Sequence, residues 1–178
     1  MKPKKCKVCK TKFEPMRPLQ MVCSAKCGYE YAKIKKQKDW RKEKKKRKEK
    51  LMTRSEWMKL AQSTFNKYIR ERDIEKGCIS CGASLQGVKF DAGHYYSVGS
   101  YPRLRFNEDN VHGQCVRCNQ HLHGNISEYA HKLPLRIGKS NFDTLVSERN
   151  KEPLKLTVNE IKNLIKKYKD KHLQIKNK

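Results

Sequence analysis

The sequence has no apolar run long enough to cross a membrane, and no hydrophobic region follows its N-terminal lysines. These absences argue against a membrane protein and against a secretory signal peptide, so we expect a chain that stays in a reducing cytoplasm. Apolar residues make up only 36% of the 178 residues, and the mean hydropathy is -0.98. Such a length allows one or two domains, and small modules this poor in apolar residues usually need metal ions to hold them together.

Acidic residues are also scarce. Lys and Arg outnumber Asp and Glu by 43 to 18, which gives a formal net charge of +25. This excess suits a polyanionic partner, because cations that neutralise phosphates release counterions. A solvated basic surface or a patch for anionic membranes would carry the same charge. Without a membrane segment, we expect nucleic acid as the partner and no membrane.

The eight cysteines fall into four close pairs, three spaced as Cys-x-x-Cys and one as Cys-x-x-x-Cys. Four disulfides of a secreted protein would use the same number, but the missing export signal favours metal binding. Two pairs together supply four thiolates, which suit one tetrahedral zinc ion. The sequence therefore predicts two structural zinc sites, with Cys6, Cys9, Cys23 and Cys27 in the first and Cys78, Cys81, Cys115 and Cys118 in the second.

Residues 1–30 are the predicted N-terminal four-cysteine zinc finger, and residues 31–54 are a lysine-rich arm. The arm contains no Gly or Pro, and Lys, Arg, Gln and Glu favour a helix. Apart from Trp40 it is nearly all polar after Ile34, so it has no face to pack on a core. It could lie along phosphates or remain a solvated linker. The finger could contact DNA or only cap the domain.

Residues 55–150 are the predicted catalytic domain, and residues 151–178 a basic amphipathic C-terminal helix. Apolar residues at spacings of three and four predict a helix that starts near Thr53 and ends by Gly77. A capping-box sequence at Thr157 precedes the C-terminal helix, which could pack on the core or form a dimer interface.

Between the Cys pairs of the second zinc site, residues 88–91 and 103–106 are predicted strands. A helix is predicted to begin at Cys118. The fold class is therefore α+β and mostly helical, with two short antiparallel strands and a helix held by zinc.

The same stretch contains side chains that suit phosphodiester hydrolysis. That reaction needs a metal ion near the phosphate and a base that activates water. His94, at a predicted strand end, is the candidate base. Asp91 and Asn119 offer oxygen ligands that suit Mg²⁺ or Mn²⁺, and His123, four residues after Asn119, is a further metal ligand. Taken singly, Asp91 could merely cap a turn and His94 could be a surface histidine, but their joint placement between zinc pairs favours a site.

These residues resemble a known nuclease motif. His94, Asn110 and the ending Cys115-x-x-Cys118-Asn119 resemble the HNH motif, also called ββα-metal or His-Me finger, in its zinc-binding form. The third position is Asn119 rather than His, which is similar to the phage Holliday-junction resolvase endonuclease VII. Gly93 stands directly before His94, where many HNH enzymes carry a metal-binding acid.

Over nearly the whole chain the sequence resembles the phage NinG (Rap) family. The segments that carry this resemblance are the N-terminal four-cysteine finger, the lysine arm, Asp91-Ala-Gly-His94-Tyr and Cys118-Asn-Gln-His-Leu-His-Gly-Asn125. The resemblance implies a phage- or prophage-encoded recombination endonuclease in the bacterial cytoplasm, acting on Holliday junctions and D-loops. It implies His94 as base and Asp91, Asn119 and His123 as ligands of a catalytic ion. The zinc sites, each with four cysteines, are closed and should be structural. Asn110 would orient the histidine through backbone hydrogen bonds.

Two other functions fit parts of the sequence. A non-catalytic zinc-finger protein that binds DNA or mediates recombination would have the same fingers and charge, but would not need the Asp, His and Asn set. An HNH nuclease with another nucleic-acid substrate would share the chemistry. Candidate protein partners are a second copy of the chain and phage or host recombination proteins.

Overall fold

The computed structural model describes residues 2–177, so the predicted outer limits of the first and last regions, Met1 and Lys178, lie outside the described residues. The chain forms two compact units that divide between Met52 and Thr53. In the described part of the chain, no helix has both the length and the apolar character needed to span a membrane. The fold is α+β and mostly helical, with two small sheets.

The first unit consists of a short hairpin and one long helix. Strands β1 (Lys4–Lys5) and β2 (Lys12–Phe13) pair antiparallel. Helix α1 (Ala25–Leu51) begins at an N-cap, Ser24, whose hydroxyl accepts a hydrogen bond from a backbone N–H in the first turn. The predicted helical arm is thus present and starts earlier than expected, within the zinc finger. None of its residues is buried, which agrees with the lack of an apolar face.

Two packed helices organise the second unit. Helices α2 (Arg54–Asp73) and α5 (Val158–Lys176) both start with capping boxes. The sequence predicts the box at Thr157 and the start of a helix at Thr53. They pack against each other through aromatic rings, with the Phe65 and Tyr168 centroids 4.7 Å apart and those of Tyr68 and Tyr168 5.4 Å apart. The C-terminal helix therefore packs on the core of its own chain.

A two-stranded sheet lies against α2. Strand β3 (Phe90–His94) pairs antiparallel with β4 (Val111–Cys115). The predicted strand at 103–106 is wrong, because Pro102–Phe106 forms a 3₁₀ helix. Proline fixes φ and lacks an N–H, which suits the first residue of a helix rather than a paired strand.

Two further helices complete the unit, α3 (Ile126–Ile137) and α4 (Lys139–Glu148). The sequence predicts breaks near Pro134 and Gly138, but only the glycine, with φ of 84°, separates the helices. Tyr129 and Leu133 of α3 are fully buried, so this pair covers a second apolar cluster.

A buried carboxylate ties α2 to the sheet. Asp73 is fully buried, and one of its oxygens accepts a hydrogen bond of 2.9 Å from the Gly113 N–H of β4. Arg72 donates to both oxygens at 2.8 and 2.7 Å. Burial raises the pKa of Asp73, but these bonds outweigh it and hold that pKa below its ordinary value. The ionised carboxylate thus fixes the position of β4 on the helix.

Candidate functional site

The two cysteine clusters have the spacing of zinc sites. In each, the four sulfurs lie within 4.8 Å of one another. The distances are 3.5 Å for Cys9–Cys23, 3.7 Å for Cys23–Cys27 and 3.7 Å for Cys81–Cys115. Zn–S bonds of about 2.3 Å in a tetrahedron place sulfurs about 3.8 Å apart, whereas a disulfide needs about 2.05 Å. Each cluster can therefore hold one zinc ion, and the disulfide alternative does not fit.

The backbone around the clusters favours thiolates. Burial raises the pKa of Cys78, but hydrogen bonds from backbone N–H groups, including that of Cys115 at 3.4 Å, outweigh it and lower the pKa to about 7. Similar bonds outweigh burial at Cys6 and lower its pKa to about 6. Within the same clusters the pKa is raised at Cys23, mainly by the neighbouring Cys9 thiol, and at Cys118, mainly by burial. The thiolate is the form that binds metal, so one thiol of each cluster is held close to its metal-binding form.

The structure brings Asp91 and Asn119 together. Asp91 lies on β3, and Asn119 lies on a π-helical turn (Arg117–His121) that includes Cys118, the last cysteine. The Asn119 amide donates a 3.0 Å hydrogen bond to the Asp91 carboxylate, and Gln120 donates one of 2.7 Å to the same oxygen. π-helical turns are rare and often occur at functional sites. Here the turn presents the predicted amide beside the predicted carboxylate.

Gln114 is a site residue that the sequence does not reveal. It lies opposite Asp91 in the sheet and is fully buried. Its side-chain nitrogen donates to the Ser80 hydroxyl at 2.6 Å and to the Gly124 carbonyl, while its oxygen has no hydrogen-bond partner among the described residues. Only the strand register, which differs from the predicted one, places this glutamine beside the carboxylate.

The Gln114 and Asn119 side chains both lie close to Gly93. A Cβ at Gly93 would lie 2.2 Å from the Gln114 side-chain oxygen and 3.1 Å from that of Asn119. Two amide oxygens thus meet over a glycine on the same strand face as Asp91. A carboxylate with amide oxygens suits a hard cation such as Mg²⁺ or Mn²⁺, so the donor set fits a catalytic ion.

His94 is held in one tautomer. Its Nε2 lies 3.1 Å from the Arg105 carbonyl oxygen, which can only accept, so Nε2 carries the proton and Nδ1 keeps a free lone pair. Burial lowers the pKa of His94, and the bond to Arg105 offsets only part of that effect. The neutral ring is therefore a proton acceptor. It lies three residues along β3 from Asp91, or about 10 Å at the rise of a strand, and strand alternation places its side chain on the opposite face of β3 from Asp91 and Gly93. The structure therefore brings Asp91 and Asn119 together but does not place His94 beside them.

Asn110 closes the loop that follows His94. It is fully buried, accepts a 2.8 Å hydrogen bond from the Tyr96 N–H, and donates to the carbonyls of Tyr96 and Leu104 at 3.0 and 3.2 Å. Backbone hydrogen bonds are the role predicted for this residue. They fix the two ends of the loop and so act on His94 through the chain rather than by direct contact.

His123 does not share a helix face with Asn119, so the predicted i, i+4 arrangement is wrong. The π-helical turn ends at His121, and the Gly124 N–H closes back on the Cys118 carbonyl at 2.9 Å. His123 is exposed there, in left-handed backbone with φ of 49°.

A buried tyrosine and histidine contact β3 at Gly93. The Tyr129 hydroxyl donates a 3.1 Å hydrogen bond to the Gly93 carbonyl and lies 3.1 Å from His112 Nδ1. Burial lowers the pKa of His112 to about 3, so this ring stays neutral. The sequence gives His112 no role. Its structural role depends on the contact with Tyr129 of α3, which the sequence does not predict.

Replacing Gly93 with Ala is expected to destabilise the second unit by about 1–3 kcal/mol, because the new methyl group would overlap the buried Gln114 amide. Gln114 could move only by losing its bonds to Ser80 and Gly124. Urea unfolding measures the change. Gly99→Ala is the matched control, since nothing lies within 4 Å of a Cβ there, and equal stability losses in both variants would contradict the steric argument.

Comparison with known proteins gives a consistent result. A family described as "Bacteriophage Lambda NinG protein" matches residues 1–178. Protein ninG of Escherichia phage lambda is 38% identical over 187 aligned residues, covering 95% of this chain and 90% of the relative. Protein ninG of Escherichia phage 933W is 38% identical with coverage of 98% and 94%, and that of Salmonella phage P22 is 37% identical with coverage of 92% and 88%. No solved structure matches the chain. The chain belongs to the NinG family of bacteriophage proteins.

Proposed function

We propose that this NinG-family protein is a metal-dependent endonuclease that hydrolyses phosphodiester bonds in branched DNA. The observation that carries the proposal is the pairing of Asp91 with Asn119 at 3.0 Å, on the strand that ends in a neutral, oriented His94. A protein that only binds DNA needs neither this carboxylate and amide pair nor a half-buried, oriented histidine.

The residues divide the reaction between them. Asp91 and Asn119 would hold a Mg²⁺ or Mn²⁺ ion, which supplies stabilisation of the charge that develops on the phosphate. His94 accepts at Nδ1 a proton from the attacking water. As the new oxygen–phosphorus bond forms, the bond from phosphorus to the leaving sugar oxygen breaks. Asn110 keeps the loop after His94 in place, and the four-cysteine cluster holds the turn that carries Asn119.

The order of elements supports the resemblance to HNH nucleases. An antiparallel hairpin carries the histidine, and a helical turn carries the asparagine directly after the last cysteine. All four positions of the adjacent zinc cluster are cysteines, which leaves no open coordination position and suits a structural ion. The hydrolytic metal would thus be a second ion, held by oxygen ligands.

DNA as the substrate is supported by charge. The net charge of +25 and the exposed basic helix α1 suit a phosphate backbone. The choice of branched DNA rests on the family resemblance described above. A second copy of the chain, or recombination proteins of the phage or its host, would be protein partners of the same activity in the bacterial cytoplasm.

The direct test is cleavage of a labelled four-way junction, compared with linear duplex and single strand of the same sequence, with Mg²⁺ or Mn²⁺ at fixed salt. We expect cleavage of the junction and little of the other two. Preferred cleavage of the linear DNA would redirect the substrate assignment to another HNH activity. Binding without cleavage of any substrate, in either metal, would refute the enzyme and favour a DNA-binding mediator.

A further inference from the structure

Trp40 is an exposed aromatic residue in the middle of the basic helix α1. Its exposed fraction is 59%, whereas Trp57, the other tryptophan, is 7% exposed in the core of the second unit. Since no residue of α1 is buried, the indole contributes no core packing. Its exposed ring is therefore free to contact a ligand, and the charges around it indicate which kind.

Cations surround this ring. The Lys44 ammonium lies 4.8 Å from the ring centroid. A shallow hollow of about 290 Å³ beside the ring is lined by Lys33, Lys36, Gln37 and Trp40, which include two cations and no acid. The whole helix carries thirteen Lys and Arg against four Asp and Glu. A second hollow beside the ring is lined by Lys35 and Lys36 together with Asp39 and Glu43. Cations therefore outnumber acids around a ring that is open to solvent.

An aromatic ring among cations suits single-stranded nucleic acid. Proteins that bind single strands combine cations along the backbone with aromatic rings on which bases stack, and the stacking contributes strongly to affinity. In a duplex, both faces of each internal base are already stacked, so the ring has no base to bind. A base exposed at a branch or in a displaced strand provides such a face.

A membrane surface is the competing ligand for a basic helix with an exposed tryptophan, but the neighbours of Trp40 argue against it. Helices that lie in a membrane interface have a continuous apolar face. The positions three and four residues from Trp40 are polar on both sides: Lys36, Gln37, Glu43 and Lys44. The indole is thus an isolated aromatic residue within a charged surface.

We infer that Trp40 stacks on an unpaired base of single-stranded DNA while Lys33, Lys36 and Lys44 bind the adjacent phosphates. This binding goes beyond cleavage and needs no catalytic metal. It would direct α1 to DNA with unpaired segments and leave perfectly paired duplex to charge alone.

The test is a binding titration with a labelled single strand of about 16 thymines, a length within the usual site size, in buffer without Mg²⁺ or Mn²⁺. A duplex of equal length and phosphatidylserine vesicles are titrated in parallel. Trp40→Ala is expected to weaken single-strand binding about 5- to 100-fold and to change duplex binding less than about twofold. Trp40→Phe retains most of the affinity. Leu51→Ala, at an exposed apolar position of the same helix, is the matched control and changes neither.

Fluorescence gives a second readout. Stacking on a base should quench the Trp40 emission of the unmodified protein, and the buried Trp57 supplies a constant background. Far-UV circular dichroism confirms that each variant keeps its helix. Equal loss of single-strand and duplex affinity in Trp40→Ala, or no loss, would overturn the inference, as would vesicle binding that depends on Trp40 without DNA binding that does. Because no cleavage is measured, the result is independent of the proposed nuclease activity.

Discussion

Replacing Cys78 with Ser is expected to unfold most of the second unit. Cys78 is fully buried beside Leu85 and Cys118, and its cluster joins the loop before β3 to β4 and to the π-helical turn. A structural zinc ion contributes about 10–16 kcal/mol to small metal-dependent domains, as much as the whole stability of a typical domain, about 5–15 kcal/mol. Three remaining thiolates bind zinc more weakly, so the fold loses much of that contribution.

Zinc analysis and thermal unfolding check this expectation. The unmodified protein should contain two zinc ions per chain, and Cys78→Ser should contain one and lose the cooperative transition of the second unit. Cys6→Ser is the matched control, since Cys6 is an equally buried ligand of the cluster in the first unit. It should also lose one ion but keep that transition. A fully folded Cys78→Ser protein without zinc at the second cluster would show that the ion is not structural.

The cysteine clusters could be predicted because their information is local. A Cys-x-x-Cys turn presents both sulfurs to one side, and the spacing of three such pairs and one Cys-x-x-x-Cys pair is readable without knowing the fold. The same holds for the helix start at Thr53 and the capping box at Thr157, where each motif spans four residues. Motifs whose residues lie within a few positions of one another therefore have nearly the predicted geometry in the structure.

The rest of the site depends on strand register, which local pattern did not identify. Alternating residues before Asn107 predict a strand, but Pro102 starts a 3₁₀ helix and the true partner of β3 is Val111–Cys115. Only that register places Gln114 opposite Asp91. The helix predicted for Asn119 and His123 fails for a similar reason, since cysteine positions and the Gly124 hydrogen bond shorten it to one π-helical turn.

His94→Ala is expected to lower the rate of junction cleavage by about 10²- to 10⁴-fold, the usual contribution of a general base, while junction binding without divalent metal stays unchanged. The neutral His94 ring carries no charge that attracts phosphates, and it is held by the backbone carbonyl of Arg105. Its removal should therefore not change the affinity for the junction. Single-turnover rates measure the first quantity and gel-shift titrations the second. His131→Ala is the matched control, because that histidine is exposed on α3 away from the hairpin.

The pH dependence of cleavage adds a test of mechanism that a merely structural histidine would not satisfy. Burial lowers the pKa of His94, so the neutral, proton-accepting form persists to lower pH than for an ordinary histidine of about 6.5. The decline of cleavage by the unmodified protein as pH falls should therefore have its midpoint below about 6.5, because the ring gains its proton at lower pH than an ordinary histidine. The residual activity of His94→Ala should lack this decline. If that variant instead keeps rapid metal-dependent cleavage with the same pH profile, another group is the base and His94 serves the fold alone.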